Sequence, residues 1–320
     1  MLYLNDEDVT GIGVNWKDTT QVIEEAVKCF AENDVVQPIK PYLRFKDLNN
    51  RIIAMPAYVG KSFDVAGIKW IASFPDNIHK GIPRANSVVI LNDTDTGQVK
   101  SIINGSLISI IRTTSVSALM IKYYLQSRKK KDIKVGISGW GPIGQYHYKM
   151  LTSIFRSSIK KIAIYDIDID KIKEVEDAEN IQICSDWREA YDGADVFITC
   201  TVSENRYINQ KPKEGSLLLN ISLRDYTTDV FEEVKRGIIV DNWKEVCREK
   251  TDIEMFHLYK NLSEDQVYTL EQIVCESTLE CIPNEQSLMF NPMGMSSFDI
   301  AIGEHFYRNA KLKSAGKNIR

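Results

Sequence analysis

Short apolar runs broken by turn residues mark the first part of the chain. Arg51 to Met55, Ala66 to Ile71 and Ser87 to Leu91 read as strands, separated by signals such as Asn49-Asn50 and Asp95-Thr96-Gly97. From about Ser106 to Gln126, Leu107, Ile111, Thr114, Ala118 and Ile121 recur at spacings of three and four, which predicts a long helix. From Ile133 the pattern changes. Nearly continuous apolar runs, Ile133 to Ser138, Lys161 to Tyr165, Val196 to Cys200, Leu217 to Ile221 and Ile238 to Val240, alternate with helical stretches, as in a parallel sheet covered on both faces. Ser297, Ile300, Ala301, Glu304 and His305 predict a last helix from about Met295 that packs on the first domain. The expected fold class is therefore α/β. A Rossmann doubly wound parallel sheet, residues 128–295, stands beside an α+β domain of residues 1–127 with 296–320, joined by the polar 127–132 stretch.

Composition narrows the function. With 320 residues, 43% of them hydrophobic, the chain can build two cores and is not a disordered protein. A formal charge of −4, with basic residues scattered rather than striped, gives no footprint for nucleic acid. No apolar run approaches the length needed to span a bilayer, and the opening MLYLNDEDV lacks the basic-then-apolar order of a leader. The six cysteines show no CxxC pair and the four histidines no i, i+4 pair, so neither a disulfide framework nor a metal site is expected. A cytoplasmic protein with reduced thiols is the expectation.

The sharpest chemical signal is Gly139-Trp140-Gly141-Pro142-Ile143-Gly144, which follows an apolar strand and precedes a helical stretch. In a dinucleotide-binding turn Gly139 permits the tight bend, Gly141 lets the backbone approach a pyrophosphate, and Gly144 allows helix to pack on strand. The helix N-terminus adds partial positive charge. Asp166 ends the next strand, 27 positions after Gly139, where a carboxylate accepts hydrogen bonds from ribose hydroxyls and repels a 2′-phosphate. The expected cofactor is therefore NAD, although Asp168 and Asp170 are close enough to share that task. Thr201 and Ser222, at two later strand ends, would border the nicotinamide half of the cleft.

The Rossmann half only presents a cofactor. Several segments carry a resemblance: Val36-Gln37-Pro38 to Tyr42-Leu43-Arg44, Arg51 to Pro56, Gly67-Ile68-Lys69-Trp70, Val89 to Asp93, Ile111-Arg112-Thr113-Thr114 and Asn291-Pro292-Met293-Gly294-Met295. In this order, over essentially the whole chain, they resemble the ornithine cyclodeaminase and μ-crystallin family. The wording VQPIKPYLR, RIIAMP and NPMGM is similar to one branch, whose members use NAD to oxidise a glutamate–diaminopropionate conjugate for siderophore or peptide-antibiotic pathways.

The resemblance implies roles for particular residues. Arg44, Lys69 and Arg112 match substrate-carboxylate positions; Asp225 matches the catalytic aspartate that handles protons and water; Gly294 lies where the family closes over the nicotinamide. Lys69, in an apolar strand, is a second candidate for proton transfer. Arg51, with Arg84, adds positive charge for the further carboxylates of a larger substrate. Read without the resemblance, each cation fits a surface or salt-bridged residue and Asp225 a helix cap or solvated loop. Where cyclodeaminases acting on ornithine carry an acid before Met-Pro, this chain has Ile52, Ile53 and Ala54, which argues against ornithine. Alanine dehydrogenation and ketimine reduction remain sibling chemistries, and a μ-crystallin-like binding protein without turnover is the non-enzymatic alternative. The resemblance also implies a homodimer formed through the first-domain sheet. Cys200 needs no nucleophilic role, and His147 reads as a packed or exposed helix residue.

Overall fold

Period-two alternation of apolar residues builds the first sheet. In the computed structural model, which describes residues 1–172, 175 and 180–319, strands Arg51–Val59, Val65–Ser73, Ala85–Asn92 and Val99–Asn104 pair antiparallel in succession. Leu2–Leu4 joins in parallel beside Val99–Asn104, and Val35–Val36 and Tyr42–Leu43 both pair with Arg51–Val59. The register sets Lys69 opposite Met55 on one side and Val89 on the other. One face buries Met55, Ala57, Val59, Val65, Lys69, Val89, Leu91 and Ile103. Helix Ser296–Lys313 lies on that face: a β-carbon at Gly303 would stand 3.2 Å from Val89 and 3.4 Å from Leu91. The opposite face presents Ile52, Ala54, Pro56, Ile68, Ala72, Val88, Ile90 and Ile102 half-buried and Trp70 39% exposed. These elements belong to one compact unit, Met1–Ser115 with Gly294–Arg320.

The second unit, Val116–Met293, holds a sheet in which eight strands among the described residues are parallel. Its order is Ile181–Ile183, Ile159–Tyr165, Ile133–Ser138, Val196–Thr199, Leu217–Asn220, Leu288–Asn291, Ile238–Val240, Tyr268–Thr269. The order reverses direction beside Ile133–Ser138, which is the doubly wound switch point at which such sheets bind ligands. Three of these strands, at 181–183, 268–269 and 288–291, are two to four residues long and are not among those expected from the sequence.

The long helix runs Gly105–Arg128, and the two units divide within it, at Ser115/Val116, rather than in the polar 127–132 stretch. Its second half is apolar nearly all round, and Val116, Ala118, Leu119, Met120, Ile121 and Tyr124 are buried. Tyr124 donates to the Gly215 carbonyl at 2.8 Å and Arg128 to the Ile282 carbonyl at 2.7 Å, which fastens that half to the second unit.

Candidate active site

Lys69 and Arg112 come together around a residue that the sequence did not single out. Asp299, on helix Ser296–Lys313, accepts from Lys69 Nζ at 2.7 Å through Oδ2 and from Arg112 Nε at 3.1 Å through Oδ1. All three side chains are buried or nearly so. Lys69 also lies 3.4 Å from Ser109 Oγ, and buried Lys40 donates to the Gly294 carbonyl at 2.8 Å. Burial drives the Lys69 ammonium from its ordinary value down to about 7; Asp299 opposes this, and Arg112 and Lys40 reinforce it. The cluster thus sets Lys69 and Arg112 against one carboxylate, with Lys40 nearby. Buried charge of one sign in excess is costly, and an arriving carboxylate relieves it.

Gly294 is a glycine for two reasons. Its φ is +88°, and a β-carbon there would stand 2.6 Å from Arg112 Nη1, so the backbone is packed against the guanidinium. In the first unit Gly294 therefore belongs to the cation cluster. Arg44 and Arg51 form a different group: their Cζ atoms lie 5.6 and 5.8 Å from the Tyr42 ring centroid, and Arg44, exposed, donates to the Leu48 carbonyl at 2.6 Å. Arg51 stands opposite Ser73 at the start of the strand, whereas the Met55–Lys69 pair lies at its middle. Arg84 is partly buried, and burial together with the nearby Arg51 charge lowers its pKa.

In the second unit the glycine turn follows Ile133–Ser138. Gly139 adopts φ +99°, with the Cys200 carbonyl 2.6 Å from where its β-carbon would be, and Gly144 packs so closely that a β-carbon would meet the Gly139 carbonyl oxygen at 2.0 Å. Helix Pro142–Ile154 starts at Gly141 with no side chain capping it and with Pro142 in its first turn. Its first N–H groups are left to an external acceptor. Nothing lies within 4 Å of the position a Gly141 β-carbon would take. Asp166 reaches back to this turn: the Trp140 N–H donates to Oδ2 at 2.6 Å, and the Asp168 N–H to Oδ1 at 2.9 Å. A carboxylate has about four lone-pair sites, so capacity for hydroxyl donors remains.

Asp225 is fully buried. Thr201 Oγ1 donates to it at 2.6 Å, and Ser222 Oγ donates as well. Burial raises its pKa, and the hydroxyls of Ser222, Thr201 and Thr199 hold the rise back. The loop before it is tight: Leu223 has φ +65°, a left-handed conformation that stores roughly 1 kcal/mol in a residue other than glycine. Asp252, also missed from sequence, secures that loop by accepting the N–H groups of Asp225 and Tyr226 at 3.1 Å each and by bonding Arg206 Nε at 2.6 Å and Asn220 Nδ2 at 3.0 Å. Burial raises Asp252 to about 6.

His147 is buried between the Ile143 carbonyl and Ser117 Oγ, both at 2.8 Å, and burial lowers it to about 4. It is a neutral packing residue. Burial also pushes the Cys200 thiol far above its ordinary value, so no thiolate forms there. Among the described residues no cluster of three His, Cys, Asp or Glu side chains is placed to hold a metal ion.

The open space at Gly141 gives a test of the turn. Gly141→Ala is expected to leave the melting temperature unchanged, since its methyl meets no protein atom, and to weaken NADH binding by on the order of tenfold in a fluorescence titration. An unchanged dissociation constant would remove this turn from cofactor binding.

The profile of the "Ornithine cyclodeaminase/mu-crystallin family" matches residues 4–314. The N-((2S)-2-amino-2-carboxyethyl)-L-glutamate dehydrogenase of Staphylococcus aureus is 32% identical over 334 residues, covering 100% of this chain and 98% of that protein. The alanine dehydrogenase of Archaeoglobus fulgidus is 24% identical, with 100% and 98% covered. Among solved structures, the Delta(1)-pyrroline-2-carboxylate reductase of Thermococcus litoralis, in complex with NADH and L-proline, superposes with a TM-score of 0.87 at 21% identity over 100% of both chains, which establishes the shared fold. The parallel sheet with its glycine turn, the whole-length profile match and a relative above 30% identity agree: the chain belongs to the ornithine cyclodeaminase/mu-crystallin family.

Proposed function

We propose that this chain catalyses the NAD-dependent oxidative cleavage of N-((2S)-2-amino-2-carboxyethyl)-L-glutamate to L-2,3-diaminopropionate and 2-oxoglutarate. It is an NAD-dependent oxidoreductase of amino-acid C–N bonds, and the observation that carries the reading is the buried convergence of two cations, Lys69 and Arg112, on the single carboxylate of Asp299. A multiply carboxylated amino acid answers that excess. The Staphylococcus aureus relative, named for this reaction and matched along its full length, supports the particular substrate.

The residues at the glycine turn fit NAD. The uncapped helix start at Gly141, Pro142 and Ile143, the open space above Gly141 and the close approach of Gly144 to Gly139 suit a pyrophosphate, and Asp166 suits an unphosphorylated ribose. Thr201 and Ser222 would border the nicotinamide. Bound there, NAD supplies the two-electron oxidising capacity for the substrate α-carbon.

The chain's own groups do the rest. Arg112 offers its terminal guanidinium nitrogens, and Lys69 its ammonium, to the α-carboxylate; Arg44 and Arg51, around Tyr42, answer the further carboxylates. Loss of the α-hydride and of the amine proton leaves an imine on the substrate. Water adds to its carbon, Asp225 takes the proton from that water, and the C–N bond then breaks to release the ketone and the amine. The balance is substrate, NAD⁺ and water in; 2-oxoglutarate, diaminopropionate, NADH and a proton out.

The first unit would carry substrate binding and dimerisation, and the second the cofactor. The apolar sheet face bearing Ile52, Ile68, Trp70, Val88 and Ile90 is the surface proposed to join two copies as a homodimer. The setting proposed is the cytoplasm, with diaminopropionate supplied to siderophore or peptide-antibiotic assembly.

Incubation with NAD and the glutamate–diaminopropionate conjugate is expected to release NADH and 2-oxoglutarate in equal amounts. Ornithine giving proline without net NADH, or alanine giving NADH while the conjugate gives none, would replace this reading by a sibling chemistry.

A further inference from the structure

Asp299 belongs to none of the motifs legible in the sequence, yet its side chain has no exposed surface. It sits between Phe298 and Ile300, both buried, and its two oxygens are divided between two cations. By taking Arg112 at Nε, it leaves Nη1 and Nη2 without a hydrogen-bond partner among the described residues. Arg112 keeps 10% side-chain exposure and Asp299 none, so an arriving molecule can reach the arginine and not the carboxylate.

We propose that Asp299 is a positioning residue that makes carboxylate binding proton-coupled: it aims the Arg112 fork outward and holds Lys69 so that an arriving carboxylate draws a proton onto the amine. The inference rests on the reading of Lys69 and Arg112 as carboxylate-binding groups. The charged and polar groups facing Lys69 are Asp299 from helix Ser296–Lys313, Arg112 and Ser109 from helix Gly105–Arg128, and Lys40 from the segment before Tyr42–Leu43. Burial, Arg112 and Lys40 all favour the neutral amine, and Asp299 favours the ammonium. With these opposed influences balanced at about 7, Lys69 is divided between its two forms near neutrality. A second carboxylate beside it shifts the balance to the ammonium, and up to one proton enters with the ligand.

The test is calorimetric titration of 2-oxoglutarate into the NADH-saturated full chain, in pairs of buffers with different ionisation heats, from pH 6 to 9. The natural chain is expected to take up protons on binding, with uptake greatest just above the pH at which free Lys69 titrates. Asp299→Asn removes the charge that favours the ammonium, so its uptake window should move to lower pH by on the order of one unit or more, with affinity reduced roughly tenfold. Asp299→Glu should restore part of both, and Lys69→Arg, which does not titrate in this range, should take up none.

A merely structural Asp299 would lower affinity without moving the window, and that result overturns the proposal. So does the absence of uptake in the natural chain, a measurement that holds whether or not Asp299→Asn folds. If 2-oxoglutarate does not bind while pyruvate binds with proton uptake, the substrate reading falls and the coupling stands. If neither carboxylate binds with uptake, the coupling is overturned.

Discussion

Asp225→Asn is expected to lower kcat by roughly a hundred- to ten-thousand-fold while NADH affinity and melting temperature stay near those of the natural chain. The fold should tolerate the change because the partners of this carboxylate are hydroxyls: Thr201 and Ser222 can each turn to accept from an amide as readily as they donate to a carboxylate. The loop itself is fixed by Asp252 through the backbone N–H groups of Asp225 and Tyr226, which the substitution leaves alone. What is lost is the group proposed to accept a proton from water. The pH profile gives the sign. Burial raises the Asp225 pKa, so activity should fall as the medium becomes more acidic through that raised value, and this acid limb should vanish in the residual activity of Asp225→Asn. Turnover unchanged in steady-state assays would place the proton route elsewhere, with Lys69 the first group to examine.

Gly294→Ala should damage the cation cluster directly. Two penalties combine: alanine is strained at φ +88°, by about 1–2 kcal/mol, and its methyl would stand 2.6 Å from Arg112 Nη1. The guanidinium must then shift on Asp299, and the carboxylate fork shifts with it. We expect kcat/KM to fall by on the order of a hundredfold, mostly through KM, since a misaimed bidentate contact costs about 2–3 kcal/mol. Steady-state kinetics with a thermal melt check this, and a KM within a factor of about two of the natural value would show that Arg112 does not hold the substrate.

Where the chain announces itself, it does so through residues out of keeping with their surroundings. A lysine in the apolar run Gly67-Ile68-Lys69-Trp70, an arginine in a helix of small and apolar residues, and three glycines spaced after a strand each stand out in one dimension. The long first-unit strands and the 24-residue helix were legible because their periods persist, and Ile238–Val240 because its run is wholly apolar; Ile181–Ile183 is interrupted by Gln182 and Tyr268–Thr269 is only two residues long. Asp299 and Lys40 were not legible, because their significance lies in partners 230 and 254 positions away. Asp252 escaped for a related reason: as the first residue of helix Asp252–Lys260 it looks like an ordinary acid in a first turn, and only the folded loop brings its oxygen to the N–H groups behind Asp225. The split of the arginines is likewise tertiary. Arg44 and Arg51 gather on Tyr42, seven residues apart in sequence at most from each other, while Lys69 and Arg112 gather on Asp299.

The bond from the Trp140 N–H to Asp166 gives that acid two duties at once. It is the group proposed to select the ribose, and it moors the amide of the bend that would carry the phosphates. A lysine or arginine introduced at 166 to welcome a 2′-phosphate has no acceptor to offer that amide and would untie the bend it was meant to serve. With Asp166 in the proposed role, coenzyme preference and the architecture of the bend are coupled, and an engineer seeking the phosphorylated coenzyme must supply a new mooring for residue 140 together with the new cation.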